Sequence, residues 1–407
     1  LTIRYPGDLM SSATQSPGEF AALPGVRAAL EWFRRERTWI NEQHLKLCRI
    51  PAPTFFEQKR AEWMAEKFRS LGWNVRIDRA GNVIASRQAG SSPESGVAVT
   101  AHLDTVLAPR SEEEIKVAAD GRMLGPGVSD NGAGLAALVA IAAVWNAAAP
   151  MEAAPVLVAN VGEEGEGNLS GMRYLCRAPS KFRAFLVLDG PNTDHITCQA
   201  LASRRFEIAI AGPGGHSWSD YGIPNPVHAL SRAITLFTDQ APSGGARSSF
   251  NFGVVEGGSS INSIPSDARA KVDLRSEDPE RIERMAALLG SAMERAVEVE
   301  NSRGSGGRVA GRIKEIGSRP GGGLRGDAPI LECLRAVDAH LGIRSHLDCS
   351  STDANIPLSL GLAAVSIGAG GQGGGAHTGS EWFQPDGREI GLRRILLATC
   401  LLLTESC

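Results

Sequence analysis

A chain of 407 residues, 43% hydrophobic and 21% charged, has an ordinary globular composition, with room for roughly one to three domains and an ample core. Its formal charge of -3 gives no electrostatic case for a nucleic acid or an anionic membrane as partner, and no apolar run is long and uninterrupted enough to span a bilayer. Seven dispersed cysteines without a Cys-x-x-Cys pair point to free thiols and a reducing, cytoplasmic setting, while a start at Leu1 leaves room for a removed signal segment.

Residues 1–24 are rich in Ser, Pro and Gly and read as an irregular arm. Over residues 26–48 the apolar positions, Leu30, Phe33, Ile40 and Leu45 among them, recur with helical spacing until Pro51 and Pro53 stop the pattern. Thr54 and Glu57 have capping-box spacing, which predicts a second helix to about Leu71, closed by Gly72. Residues 73–78 and 82–87 read as a hairpin around Ala80-Gly81. The β-prone run Val97-Ala98-Val99-Thr100-Ala101 then leads into His102-Leu103-Asp104. Alternation puts His102 and Asp104 on one face, at the strand end where open α/β sheets place ligand chemistry. Imidazole is a common zinc ligand, and a nearby carboxylate can orient it.

The next connection, Gly125-Pro126-Gly127-Val128-Ser129-Asp130-Asn131-Gly132-Ala133-Gly134, leads into an Ala/Leu-rich helix to about Ala147. It is no nucleotide loop, because no Gly-Lys-Ser/Thr ends it and Asp130 would repel phosphates. Its glycines instead let the backbone turn tightly and bring Asp130 close to something else. A buried strand over residues 156–161 ends in Gly162-Glu163-Glu164, and another over 184–188 ends in Asp189-Gly190. The pattern then changes to strand 203–211, helix 225–239, strands 250–255 and 268–274, helix 278–297 and strand 308–316. That order is β-α-β-β-α-β, a ferredoxin-like split unit. Helix 329–341, strand 363–367 and a closing helix after Gly387 restore the α/β character, with Gly-rich residues 368–375 before His377. The chain thus reads as one catalytic α/β domain in two pieces, residues 1–199 and 317–407, with a second domain inserted at 200–316.

His102, Asp130, Glu164, Asp189 and His377 form a mixed N/O ligand set without Cys, suited to zinc but not to a structural finger. Five ligands exceed one open tetrahedral site and suit two ions if a carboxylate bridges. Two divalent ions, three carboxylates and a hydroxide balance in charge. Glu163 would then be free to accept a proton from the activated water. His195, His228, His340 and His346 read as surface or core histidines. Asp353 and Glu381 stand either behind the ligands or as caps and surface charge.

The ordered set resembles the di-zinc peptidase and deacylase family of peptidase T, glutamate carboxypeptidase, acetylornithine deacetylase and the aminoacylases. It comprises His-x-Asp, Gly-x-x-Asp-x-x-Ala-Gly, Glu-Glu, Asp, an inserted domain with Gly214-Gly215-His216-Ser217, and a late His. Ala101-His102-Leu103-Asp104-Thr105-Val106 and the Gly-rich loop before His377 are most similar to the peptidase T-like members. Ser129-Asp130-Asn131-Gly132 departs from their Asp-Asp-Lys-Ala-Gly.

The resemblance implies an α/β, zinc-peptidase-like catalytic domain with an inserted α+β ferredoxin-like lid through which two chains dimerise. It implies two divalent ions, zinc first, with cobalt or manganese able to replace it. His102 and Asp189 would hold one ion and Glu164 and His377 the other. Asp130 would bridge them, with a cis peptide to Asn131. Asp104 would stand behind His102, Glu163 would be the general base, and His216 would reach the partner's site. Asn262 and Arg275 match positions that bind a substrate carboxylate. The implied reaction is metal-dependent hydrolysis of an amide bond in a di- or tripeptide. The alternatives are an N-acyl amino acid deacylase with the same chemistry and a catalytically silent binding relative, which would have no need of Glu163.

Overall fold

The computed structural model describes residues 16–87, 96–177, 182–242 and 245–404. Among them, the larger body is built on a nine-stranded sheet. At its centre, Val156–Asn160, Gly96–His102, Phe182–Leu188 and Ala363–Ile367 run parallel, side by side in that order. Their residues are almost wholly buried, as expected for parallel strands covered on both faces. The register aligns their carboxyl ends: His102 lies opposite Asn160, and Leu188 opposite Ile367. The segments carrying Glu163, Glu164 and Asp189 therefore leave the sheet at the edge where His102 ends its strand.

One face of this sheet is covered by the helix Gly132–Ala148, buried at every position from Gly132 to Trp145. Such an all-round apolar sequence is stable only between layers, and the helices Pro24–Arg35 and Arg37–Cys48 pack over it. The expected single helix over residues 26–48 is corrected to these two. Glu36 has ψ 20°, so the axis turns there and Trp32 meets Trp39 edge-on at 5.7 Å. The expected irregular arm holds a helix at Pro17–Ala22, opened by a capping box between Ser16 and Glu19. The Thr54–Glu57 box does not form. The helix begins at Gln58, and the Thr54 hydroxyl donates to Asp104 Oδ2 instead (2.9 Å).

The inserted unit is a four-stranded antiparallel sheet in the order Ser248–Gly257, Asp267–Ser276, Ala202–Ala211, Ala310–Arg319. The helices Pro226–Gln240 and Pro279–Arg303 pack on one face and enclose a separate apolar core. This is the β-α-β-β-α-β order, and its last strand runs to Arg319, past the expected end at 316. Strands His195–Ala200 and His346–Ser350 extend the large sheet toward this unit. No helix among the described residues is long and apolar enough to cross a membrane.

Candidate metal centre

His102 ends its strand with the imidazole buried. Its Nδ1 donates to the Asp104 carbonyl at 2.9 Å, which leaves Nε2 facing Asp130 Oδ1 at 3.1 Å and Asp189 Oδ1 at 3.8 Å. His377, in the left-handed region at φ 64°, places Nε2 3.0 Å from Asp130 Oδ2 and 2.9 Å from Glu164 Oε1. The five residues expected as ligands therefore meet, with Asp130 between the two imidazoles.

The glycine-rich turn explains how Asp130 arrives there. Gly127 has φ 76°, and a Cβ on it would lie 2.5 Å from Thr105 Cγ2. A Cβ on Gly132 would come within 2.4 Å of Cys48 Sγ, so the turn packs against the helix behind it. Glu381 then fastens the turn, accepting the N–H groups of Gly127 (2.7 Å), Ser129 (2.7 Å) and Asp130 (2.8 Å). The Asp130–Asn131 peptide is cis.

Asp104, fully buried, accepts the N–H of Glu163 on Oδ1 (3.0 Å) and that of Glu164 on Oδ2 (2.9 Å). It thereby sets the turn bearing both acids. Burial alone would raise its carboxyl, but the His102 contact and these N–H donors outweigh burial and hold it below the usual range. Glu163 is buried too. Burial pushes its carboxyl well above the usual range against the pull of Arg319, whose Nη1 donates to Oε1 at 2.9 Å.

The donor set can be tested against a cation on these observations. His102, Asp130 and Glu164 each offer a ligand atom, all within 4.8 Å of one another. Both imidazoles are pulled far up by the surrounding carboxylates. His102 rises despite its burial, and His377 goes to about 10 because Asp130 and Glu164 face it. Positive charge is what this pocket lacks, and neutral imidazole nitrogen with carboxylate oxygen is a borderline-hard set that suits zinc and its neighbours.

A cavity of about 410 Å³ opens beside the cluster, lined by Glu163, Asp189 and His377 from the larger body and by Arg205 and Arg275 from the inserted unit. Arg275 thus reaches the cavity, whereas His216 and Asn262 do not line it. They stand together elsewhere on the inserted unit, joined through Ser217, whose N–H donates to the Asn262 carbonyl at 3.0 Å. The exposed His216 accepts the Trp218 N–H on Nδ1 at 3.2 Å. Sequence reasoning missed Arg205 and Arg319, and read His195 as an ordinary histidine although it lines the cavity. No spacing signal marks any of the three. Of the two acids left open, Glu381 holds the Asp130 turn, and Asp353 is buried where it accepts the Asn160 side-chain amide.

A two-body α/β fold with a histidine–carboxylate cluster at its strand ends defines a metal-dependent hydrolase. The chain belongs to peptidase family M20/M25/M40, whose sequence pattern matches residues 98–398, and it is a metal-dependent hydrolase of peptide bonds. It is 26% identical to the uncharacterized protein YqjE of Bacillus subtilis over 349 residues, covering 81% of this chain and 89% of that one. It is 25% identical to the cytosol non-specific dipeptidase of Escherichia coli over 407 residues, 84% of this chain and 79% of that one. Its fold is similar to that of aminopeptidase PepT from Bacillus cereus, with a TM-score of 0.72 and 21% identity over 90% of this chain and 99% of that one.

Proposed function

We propose that the protein hydrolyses small peptides, of di- or tripeptide size, with zinc as the physiological metal. The observation that carries this reading is the juxtaposition of the His102–Asp130–Glu164 cluster with a buried second glutamate, Glu163, on a cavity of only about 410 Å³. The names of the dipeptidase and aminopeptidase relatives agree with it. His102 and Asp189 would hold one ion, Glu164 and His377 the other, and Asp130 would serve both. Bound there, divalent ions supply a polarised carbonyl and a water of lowered pKa.

The chain's own groups do the rest. Asp104 fixes the backbone that aims Glu163 and Glu164. The Glu163 carboxylate takes a proton from the attacking water and returns it to the leaving amine. Its raised pKa suits both halves of that task. Arg319 keeps the acid pointed into the cavity. Arg275 binds the substrate carboxylate, its Nε steadied by Asp273 at 2.6 Å, with Asn262 as a second contact. We further propose that residues 200–316 form a lid through which two chains pair, with Asn262 and His216 acting across that pair. The cytoplasm is the compartment that free thiols favour.

The test is a hydrolysis screen of di- and tripeptides beside N-acyl amino acids, with zinc added. Glu163→Gln should lower kcat roughly a hundredfold or more while bound zinc stays at the parent level. A parallel fall in zinc would exchange the roles of Glu163 and Glu164. Turnover of N-acyl amino acids alone would replace the peptidase reading with the deacylase one.

A further inference from the structure

The cavity beside Glu163 does not end at Arg275. A second chamber of about 350 Å³ shares Arg275, Ser350 and Ser351 with it, so the two adjoin where the inserted sheet meets the strand His346–Ser350. The second chamber brings in another guanidinium, that of Arg247. The antiparallel ladder fixes where it stands. Ser249 lies opposite Arg275 and Ser248 opposite Ser276. The Glu277 N–H donates to the Arg247 carbonyl at 3.1 Å, which carries the pairing one step further. Side chains alternate along a strand, so Arg247, Ser249 and Arg275 share a face, and Arg247 is displaced from Arg275 by two positions, roughly 7 Å.

Neither guanidinium is fully engaged. Asp273 takes the Nε of Arg275, and the terminal nitrogens of Arg275 make no hydrogen bond among the described residues. The exposed Arg247 makes no side-chain hydrogen bond or ion pair among them. Glu277 is the acid on this rim. Asp273 and Glu277 balance the two guanidinium charges, but the terminal nitrogens of both arginines keep donors to offer, and serine hydroxyls complete the wall.

We infer that the second chamber is a subsite for a substrate carboxylate lying beyond the reach of Arg275, with Arg247 as its receptor and Ser249 beside it. The inference rests on the peptide reading above. An extended residue spans roughly 3.3–3.6 Å, so one further residue carries a terminal carboxylate about half of that separation, and the long Arg247 side chain spans the rest. The two arginines form a length gauge: a dipeptide ends at the first and a tripeptide at the second. An acidic side chain on the second residue of a dipeptide carries the same chemistry to the same place.

The test compares kcat/KM for dialanine, trialanine, trialanine amide and alanylglutamate in the zinc-loaded parent, Arg247→Ala and Arg247→Lys. In Arg247→Ala the ratio of trialanine to dialanine should fall roughly tenfold, the loss of one charge-assisted hydrogen bond, mainly through KM. Arg247→Lys should recover part of it, and the parent should favour trialanine over its amide. A fall confined to alanylglutamate would support the same subsite with a side-chain carboxylate as its ligand. An equal fall for all substrates, or none, overturns the subsite and leaves the peptidase reading standing. If the parent cleaves N-acyl amino acids and no peptide, the peptidase reading fails and the gauge falls with it.

Discussion

Glu381 is only 3% exposed, yet its carboxylate accepts from three donors of the Asp130 turn. Oε1 serves Ser129 and Asp130, and Oε2 serves Gly127. Glu381→Ala removes both oxygens and strands the Gly127 and Ser129 N–H groups away from water, while the partly exposed Asp130 N–H keeps access to it. Each buried donor left without an acceptor costs about 1–3 kcal/mol, so the Ala variant should lose roughly 2–6 kcal/mol. Glu381→Gln retains one oxygen for the Ser129–Asp130 pair but turns an amide NH₂ toward the Gly127 N–H, a loss of about 1–3 kcal/mol. The graded series can be read by guanidinium chloride unfolding, with zinc content measured on the same samples. Zinc should fall in the order parent, Gln, Ala, because the turn that aims Asp130 is released in that order. An Ala variant within about 0.5 kcal/mol of the parent, with undiminished zinc, would show that the carboxylate does not hold the turn.

Asp353 gives a prediction in pH. Burial pushes its carboxyl up to about 7, so its contribution is complete below the ordinary carboxyl range and is lost as pH rises through that value. In chelated protein the stability of Asp353→Asn relative to the parent should therefore grow by roughly 3 kcal/mol between pH 5 and pH 8, and a pH-independent difference in denaturant unfolding would falsify the assignment. If two chains pair as proposed, Glu163→Gln and His216→Ala, each inactive alone, should regain part of the activity when mixed, because one of the two sites in a heterodimer holds both residues. Verified heterodimers without rescue would remove His216 from the neighbouring site.

The parts of the fold that could be read in the sequence are those where a local pattern and a long-range demand coincide. The run Val97–Ala101 is apolar because it is covered on both faces, and His102 follows where the sheet stops. The capping-box rule shows the limit. It holds at Ser16–Glu19, inside the stretch whose composition reads as an arm, and fails at Thr54–Glu57. The Thr54 hydroxyl meets a buried carboxylate fifty positions away in sequence, and no spacing rule weighs that competitor. Arg205 and Arg319 escaped, and Glu381 stayed open between two roles, for the same reason. Each acts on the Glu163 and Asp130 turns through contacts across the domain boundary or across most of the chain. His195–Ala200 and His346–Ser350 are short strands whose only strong signal is each other.

The placement of His216 follows from the geometry of the inserted sheet. Arg275, Ser203 and Arg319 form one row across its three neighbouring strands, at the end nearest the catalytic body. That row is tied to the catalytic turn: Arg319 bonds Glu163 at 2.9 Å, Arg205 Nη1 donates to the Gly165 carbonyl at 2.8 Å, and the Ser318 N–H donates to Asn168 Oδ1 at 3.0 Å. The two chain crossings lie just beyond, since Gly322 pairs with Ala200 in the large sheet. His216 belongs to the opposite end, past Ala211, which is eight strand positions from Ser203, or about 25 Å. An inserted unit turning rigidly about the crossings changes the direction of His216 from Arg319 but not its distance. Arg319 is in contact with Glu163, and breaking that buried pair would cost about 3–5 kcal/mol. Hinge motion therefore cannot carry His216 to the cluster of its own chain. If His216 touches a reacting carbonyl, the carbonyl lies in another chain's cavity, and rescue by mixed subunits is the outcome the proposed pairing predicts.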